Sequence, residues 1–215
     1  MSDEDSAAEV MYGQADEKNP APGTARIKLW YWPFAYHGHA FLKLIKPDGT
    51  TDELLGYPAS RNPDTRPNGR KKPDRSISDG SRLIARHEDL GSGPSDYEYS
   101  RRVATVASGP SGEIAKTWHR GMKAMTAING DERTFDYKLY DPSFVLGGSG
   151  GQIQNSNSVI YTLGCVMDLD LGRPIRNAGV ERKLPGWGRD LLDPKYERYV
   201  APPMFPVRDA PSIQP

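Results

Sequence analysis

The chain has a single cysteine, Cys165, in 215 residues, so no internal disulfide can hold it together. It lacks any run that approaches the roughly 18 consecutive apolar residues of a membrane-spanning helix. Its first residues, MSDEDSAAEVMYGQADEKNPAPG, have neither the basic nor the apolar region of a secretory signal. We therefore expect no membrane span, and either a cytoplasmic protein or one delivered by a secretion system that needs no signal peptide.

An excess of charge of one sign is also missing, because 28 Lys and Arg residues balance 28 Asp and Glu residues. A balanced chain has no global field to draw it onto nucleic acid, so a nucleic-acid partner is not expected. Hydrophobic residues make up only 36%, whereas glycine (22) and proline (19) are abundant. Such a composition predicts that loops and tails occupy much of the length.

The length suits one domain with a real core, which we place at residues 24–200. Residues 1–23 are acidic and punctuated by proline, a composition typical of a flexible tail, and 201–215 form a second, proline-rich tail. Within the domain, residues 58–80 are basic, rich in proline and without apolar periodicity. This stretch predicts a long loop that is either disordered or holds an anionic or polymeric ligand.

The order of elements predicts an α+β fold, in which an antiparallel sheet packs against two main helices. Two apolar runs with strand character, ARIKLWYW and GHAFLKLI, precede the turn PDGT. Thr51–Tyr57 returns as a hairpin partner, and RRVATVAS forms a later strand. Ser111 begins one helix, whose core face carries Ile114, Trp118, Met122 and Met125, and Ser156–Met167 forms the other.

The run GGSGGQIQNSNSVIYTL, residues 147–163, is the best candidate for a reactive site. Asn155 is a favoured N-cap, and Ser156 then falls in the first helical turn, where the helix dipole favours negative charge. Asn157 follows it in the same turn. Gly150 and its neighbours either let a substrate approach the backbone or form a flexible linker. Two interpretations stay open, a nucleophile at the helix start or a plain cap on a core helix.

Nucleophilic acyl chemistry needs a nucleophile, a base within hydrogen-bond reach and a group that orients the base. His37 and His39 lie at the head of the strand GHAFLKLI, with His37 immediately before its first residue. Alternate residues of a strand share a face, so both imidazoles project to the same side and either could serve as base.

The phrases HAFLKLIKPDG and QNSNSVIYTL together resemble the circularly permuted branch of the papain-like NlpC-type superfamily, which includes lecithin retinol acyltransferase-like proteins. They are also similar to toxin-like domains delivered between bacteria. The resemblance implies a permuted papain-like fold, with His39 as the base and Ser156 at the nucleophile position. It further implies that the orienting acid comes from the next strand, as Glu53 or, in reserve, Asp52. Asn155, Asn157, His37 and Gly150 would line the substrate site.

The family nucleophile is cysteine, and serine stands in its place here. A serine hydroxyl is barely ionised near neutral pH, so His39 would have to accept its proton in the attacking step. Three outcomes are compatible with the sequence: an active serine, a groove that has lost its chemistry, or a cysteine that has been replaced.

The resemblance implies a hydrolase that cleaves an amide bond in a peptide, a protein or peptidoglycan, without a cofactor or metal. A role as a secreted bacterial effector, with an immunity or inhibitor protein as partner, follows from the same likeness. The alternative is a non-catalytic, partner-binding module on a decayed hydrolase fold. It would dock through the basic loop and the proline-rich tail.

Two weaker alternatives use other residues. His37 and His39 could bind zinc with Asp52 or Glu53, although a lone His-x-His pair is a weak signal. Cys165 could be the nucleophile, but its place well inside the second helix predicts a small, buried core residue with a raised pKa.

Overall fold

A five-stranded antiparallel sheet forms the body of the protein, seen here in a computed structural model. The structure describes residues 21–34, 37–58, 82–93, 100–130, 135–138 and 153–195. The strands lie in the spatial order β4-β3-β2-β1-β5, and each pairs antiparallel with its neighbours. They are β1 (Thr24–Phe34), β2 (His37–Ile45), β3 (Thr51–Pro58), β4 (Leu83–Gly91) and β5 (Arg101–Pro110).

Two main helices, α1 (Ser111–Gly130) and α2 (Ser156–Met167), pack on one face of this sheet. The buried face of α1 includes Ile114 and Trp118, while Met122 and Met125 lie partly buried at its margin. Helix α2 contributes Val159, Ile160, Leu163 and Met167 to the same core. A short helix, α3 (Gly172–Asn177), and a 3-10 turn (Glu181–Lys183) follow. The predicted α+β class, with an antiparallel sheet and two main helices, is confirmed.

The ladder between β2 and β3 is shorter than either strand. Their paired residues run from Ile45↔Thr51 to Leu42↔Leu54, whereas β2 stays paired with β1 as far as His37↔Phe34. The start of β2 therefore lies beyond its recorded pairing with β3. That part of the strand carries His39.

Strand β4, helix α3 and the exposure of Cys165 differ from expectation, and helix α3 had no counterpart in the sequence analysis. Strand β4, at the edge of the sheet, was not predicted. Cys165 is exposed on α2 rather than buried in the core, so the expectation of a small core residue was wrong. Leu163 and Met167 lie on the buried, apolar face of α2 instead.

Several predicted segments lie outside the described residues. They are most of the acidic tail, the basic loop except Pro58, the glycines that precede α2, including Gly150, and the proline-rich tail. Within the part of the chain that is described, no helix is both long enough and apolar enough to cross a membrane.

Candidate functional site

The start of α2 is held by a capping box. Asn155 adopts an extended conformation, with φ −151°, and its Oδ1 accepts a hydrogen bond from the Asn157 N–H at 2.9 Å. In return, the Asn155 N–H donates to Ser158 Oγ at 3.3 Å. These bonds satisfy amide groups that a helix start leaves unpaired. Ser156 is thereby fixed as the first residue of the helix.

Ser156 meets His39 across the sheet–helix junction. The Ser156 Oγ lies 2.7 Å from His39 Nδ1, although 117 residues separate the two in sequence. In the tautomer that carries its proton on Nε2, Nδ1 accepts the hydroxyl proton. This is the direction of transfer that a general base requires.

The surroundings of His39 favour its neutral form. Loss of solvation on burial lowers the pKa of His39 to about 4. The ring of Tyr57 on β3 lies beside it, with ring centroids 6.1 Å apart. At neutral pH the imidazole is thus uncharged and its Nδ1 lone pair can accept a proton.

Close contact with β3 sets the position of the Ser156 backbone. A Cβ built on Gly56 would lie 2.7 Å from Ser156 Cα and 2.9 Å from Val159 Cβ. Only glycine allows the strand and the helix start to approach this closely. Ser156 is 6% exposed as a result.

A backbone donor accompanies the hydroxyl. The Ser156 N–H makes no recorded hydrogen bond to any described residue, as expected for the first amide of a helix. Such a donor at the positive end of the helix dipole can stabilise an oxyanion that develops on an attacked carbonyl.

The side chain of Asn157 is buried, with 1% exposure, and is bonded to the backbone on two sides. Its Oδ1 accepts from the Ala40 N–H at 2.9 Å, and its Nδ2 donates to Gly38 O at 3.1 Å and to Pro185 O at 3.0 Å. A substrate-lining role for Asn157 stays a prediction.

Residues 184–191 form a strap that crosses the start of α2. Gly186 O accepts from Ser158 Oγ at 3.0 Å, and the Leu191 N–H donates to Thr162 Oγ1 at 2.7 Å. A Cβ on Gly186 would lie 2.8 Å from Asn155 Oδ1, so the strap rests directly on the cap. Sequence reasoning missed this contact, because a Pro-Gly-Trp-Gly run carries no signal for what it will cover.

Gln154 is a second polar residue that sequence reasoning missed. It is fully buried, and its Nε2 donates to Asp136 O at 2.8 Å. Backbone bonds to Lys138 anchor the same residue. Its place beside Asn155 was the one available hint.

The two candidate acids lie elsewhere on β3. Glu53 is buried opposite Lys43, with Oε1 3.5 Å from Lys43 Nζ. Lys43 stands four positions along β2 from His39, or roughly 13 Å at the rise of a strand. Asp52 Oδ1 lies 2.7 Å from Lys46 Nζ, and its Oδ2 lies 3.4 Å from His87 Nε2. The contacts described for the two carboxylates are with Lys43, Lys46 and His87, and the role of Glu53 or Asp52 as orienting acid stays a prediction.

His37 and Asn155 flank the pair without joining it. His37 is partly buried at the head of β2, and no partner is recorded for its Nδ1 among the described residues. Asn155 is fully buried and serves as the cap, while its Nδ2 has no recorded partner in the same set. Their proposed roles toward a substrate stay predictions.

The two rival sites find no support. The described ranges contain no group of three or more His, Cys, Asp and Glu side chains placed to hold a metal ion. Cys165 is exposed as a residue, but partial loss of solvation at its thiol, followed by the charge of Asp190, raises the pKa of Cys165. The raised pKa agrees with expectation, and it makes this cysteine a poor nucleophile.

Comparison of the chain with protein-family models, curated proteins and solved structures found no match.

Proposed function

We propose that this protein hydrolyses amide bonds, with Ser156 as nucleophile and His39 as base, on the permuted papain-like scheme. The observation that carries the proposal is the 2.7 Å contact between His39 Nδ1 and Ser156 Oγ at the start of a capped helix. A nucleophile in hydrogen-bond contact with a neutral base is the minimum that serine acyl chemistry requires.

The proposed reaction uses the two residues in turn. Ser156 Oγ attacks the carbonyl carbon as its proton passes to His39 Nδ1, and the Ser156 N–H stabilises the oxyanion. The C–N bond then breaks, and the amine leaves with the proton from His39. Water next attacks the acyl-serine while His39 accepts its proton, and the acid is released with Ser156 restored.

Substrate and setting are proposed from the family likeness alone. A peptide or peptidoglycan amide is the substrate class, and a role as a bacterial effector with an inhibitor partner belongs to the same proposal. Glu53 as orienting acid remains part of that scheme, but its pairing with Lys43 does not support it. The contact between Ser156 and His39 supports a serine–histidine pair.

A non-catalytic, partner-binding module is the alternative. The low exposure of Ser156 (6%) and of Asn157 (1%) favours it, because a polar network closed to solvent also serves simply to join a helix to a sheet. The low pKa of His39 points the same way, since a weak base gives little driving force for proton transfer.

A fluorophosphonate probe distinguishes the two functions. We expect covalent labelling of the wild type, because the probe reacts with an activated serine hydroxyl, and loss of label in Ser156→Ala and in His39→Ala. The labelling rate should be nearly constant above about pH 5, since His39 is already neutral there. Mass spectrometry of the intact protein and of its peptides measures the extent and the position of the label.

Matched controls come from helix α1. Ser111 is the first residue of α1, as Ser156 is of α2, and His119 is exposed on α1. Ser111→Ala and His119→Ala should keep full labelling. An unlabelled but folded wild type, or equal labelling of Ser156→Ala, contradicts the proposal and favours the partner-binding module.

A further inference from the structure

The pairing of β2 with β3 does not extend to the start of β2. The β2–β3 pairing is recorded only from Leu42 onward, so the β3-facing edge at Gly38 and Ala40 needs other partners. In a strand, the N–H and C=O groups of residues i and i+2 point to the same edge. Buried backbone groups left without a partner are costly, by about 1 to 3 kcal/mol each.

Asn157 supplies the missing partner. Its amide accepts from the Ala40 N–H at 2.9 Å and donates to Gly38 O at 3.1 Å, as a peptide group of a neighbouring strand would. Its second N–H donates to Pro185 O at 3.0 Å. Both donors of the side chain are thereby used, which leaves no N–H for a substrate.

The bonded residues flank the base, and Asn157 itself is next to the nucleophile. Gly38 and Ala40 stand on either side of His39 in the chain, while Ser156 precedes Asn157. One side chain therefore fixes the backbone on both sides of the imidazole relative to the helix start that carries the hydroxyl. The 2.7 Å contact between the two reacting residues spans this joint.

We infer that Asn157 is a positioning residue, whose amide replaces a strand neighbour and holds His39 in register with Ser156. Its bond to Pro185 extends the joint to the strap, so three separate segments meet at one amide. The inference rests on the proposed function only for its effect on reaction rate. The effect on His39 itself is independent of catalysis.

The test compares Asn157→Ala with Thr162→Val. Both replace a buried polar side chain of α2 that bonds to the strap, but Thr162 bonds to Leu191 and not to β2. NMR titration of the imidazole should show the His39 pKa move from about 4 toward 6.5 in Asn157→Ala, because water reaches the loosened strand. In Thr162→Val it should stay at the wild-type value.

Kinetics and hydrogen exchange complete the test. Fluorophosphonate labelling should slow by about tenfold or more in Asn157→Ala, as expected when reacting groups lose their alignment, and by much less in Thr162→Val. In the wild type the Ala40 amide should exchange far more slowly than in an unstructured chain. This measurement needs no variant, so an unprotected Ala40 amide overturns the inference even where Asn157→Ala does not fold.

The outcomes separate the two proposals. An unprotected Ala40 amide in the wild type, or an unchanged His39 pKa in folded Asn157→Ala, overturns the positioning role whatever the labelling shows. A wild type that takes no label but shows the expected shift in His39 pKa contradicts the hydrolase and leaves the positioning role standing.

Discussion

At the scale of single residues, the side chain of His39 illustrates what a sequence does and does not specify. The places of His39 and Ser156 at a strand head and a helix start, together with the resemblance to the permuted papain-like superfamily, nominated both residues. Neither residue type discloses the burial that lowers the pKa of His39 to about 4. Burial of a side chain depends on what packs around it, and that is a property of the tertiary structure.

The expected orienting acid shows a second property that the sequence did not specify, the register between two strands. Glu53 and Asp52 are carboxylates on the strand next to β2, which is all that the sequence could offer. The register of β2 and β3 then pairs Glu53 with Lys43, four positions from His39. A side chain's partner across a ladder depends on register, and no local pattern fixed it here.

Replacing Ser156 with cysteine tests the environment of the hydroxyl directly. In a Cys165→Ser background, Ser156→Cys leaves one thiol, at a helix start beside His39. We expect its thiol pKa to fall below the ordinary value of about 8.5, because the helix dipole favours thiolate and Nδ1 of the neutral His39 imidazole can accept the thiol proton. The rate of alkylation by iodoacetamide as a function of pH measures this pKa.

The matched comparison is Ser111→Cys in the same background, which places a thiol at the start of α1 without His39. An inflection for the thiol at 156 that is no lower than that for the thiol at 111 would show that His39 does not act on this position.

At the scale of elements, the helices were predicted better than the sheet. Asn155 as N-cap predicted a helix over Ser156–Met167, and the structure confirms those bounds. Strand β4 was missed because Arg86, His87, Glu88 and Asp89 interrupt it with residues that strands disfavour. Pairing with β3, including the contact of His87 with Asp52, places it in the sheet.

The junction of β3 with α2 gives a prediction at this scale. Gly56→Ala should destabilise the protein by about 1 to 3 kcal/mol, because the added Cβ meets the Ser156 backbone at 2.7 Å and neither element can yield easily. The same displacement should slow fluorophosphonate labelling. Urea unfolding and the labelling rate measure the two effects.

Gly109→Ala in β5 is the control, since a Cβ built there has nothing within 4 Å. Equal stability of the two variants would mean that α2 does not press on β3 as closely as described.

At the scale of the whole molecule, His39 should make stability depend on pH. The unfolded chain takes up a proton on His39 near pH 6.5, but the folded protein does so only near pH 4. The unfolded state therefore binds more protons than the folded state between these two pH values. Titration of His39 thus lowers the free energy of unfolding as pH falls from 6.5 to 4. The full loss of unfolding free energy, reached near pH 4, is of the order of 3 kcal/mol. Above pH 6.5 the imidazole is neutral in both states, so it does not make stability depend on pH.

Urea titrations at several pH values check this dependence in the wild type and in His39→Gln. The difference in slope between the two proteins isolates His39 from the other titrating groups, and His119→Ala, on the exposed face of α1, serves as the control. Parallel curves for wild type and His39→Gln would show that the imidazole is not desolvated.

The separation of 117 residues between His39 and Ser156 has a consequence for synthesis of the chain. A ribosome makes the imidazole well before the hydroxyl, and the described residues between them include three strands and a helix. A nascent chain that has not yet reached α2 contains the His39 imidazole but not the Ser156 hydroxyl. Whatever reactivity the pair possesses is thus withheld from the producing cell until the ribosome has translated α2.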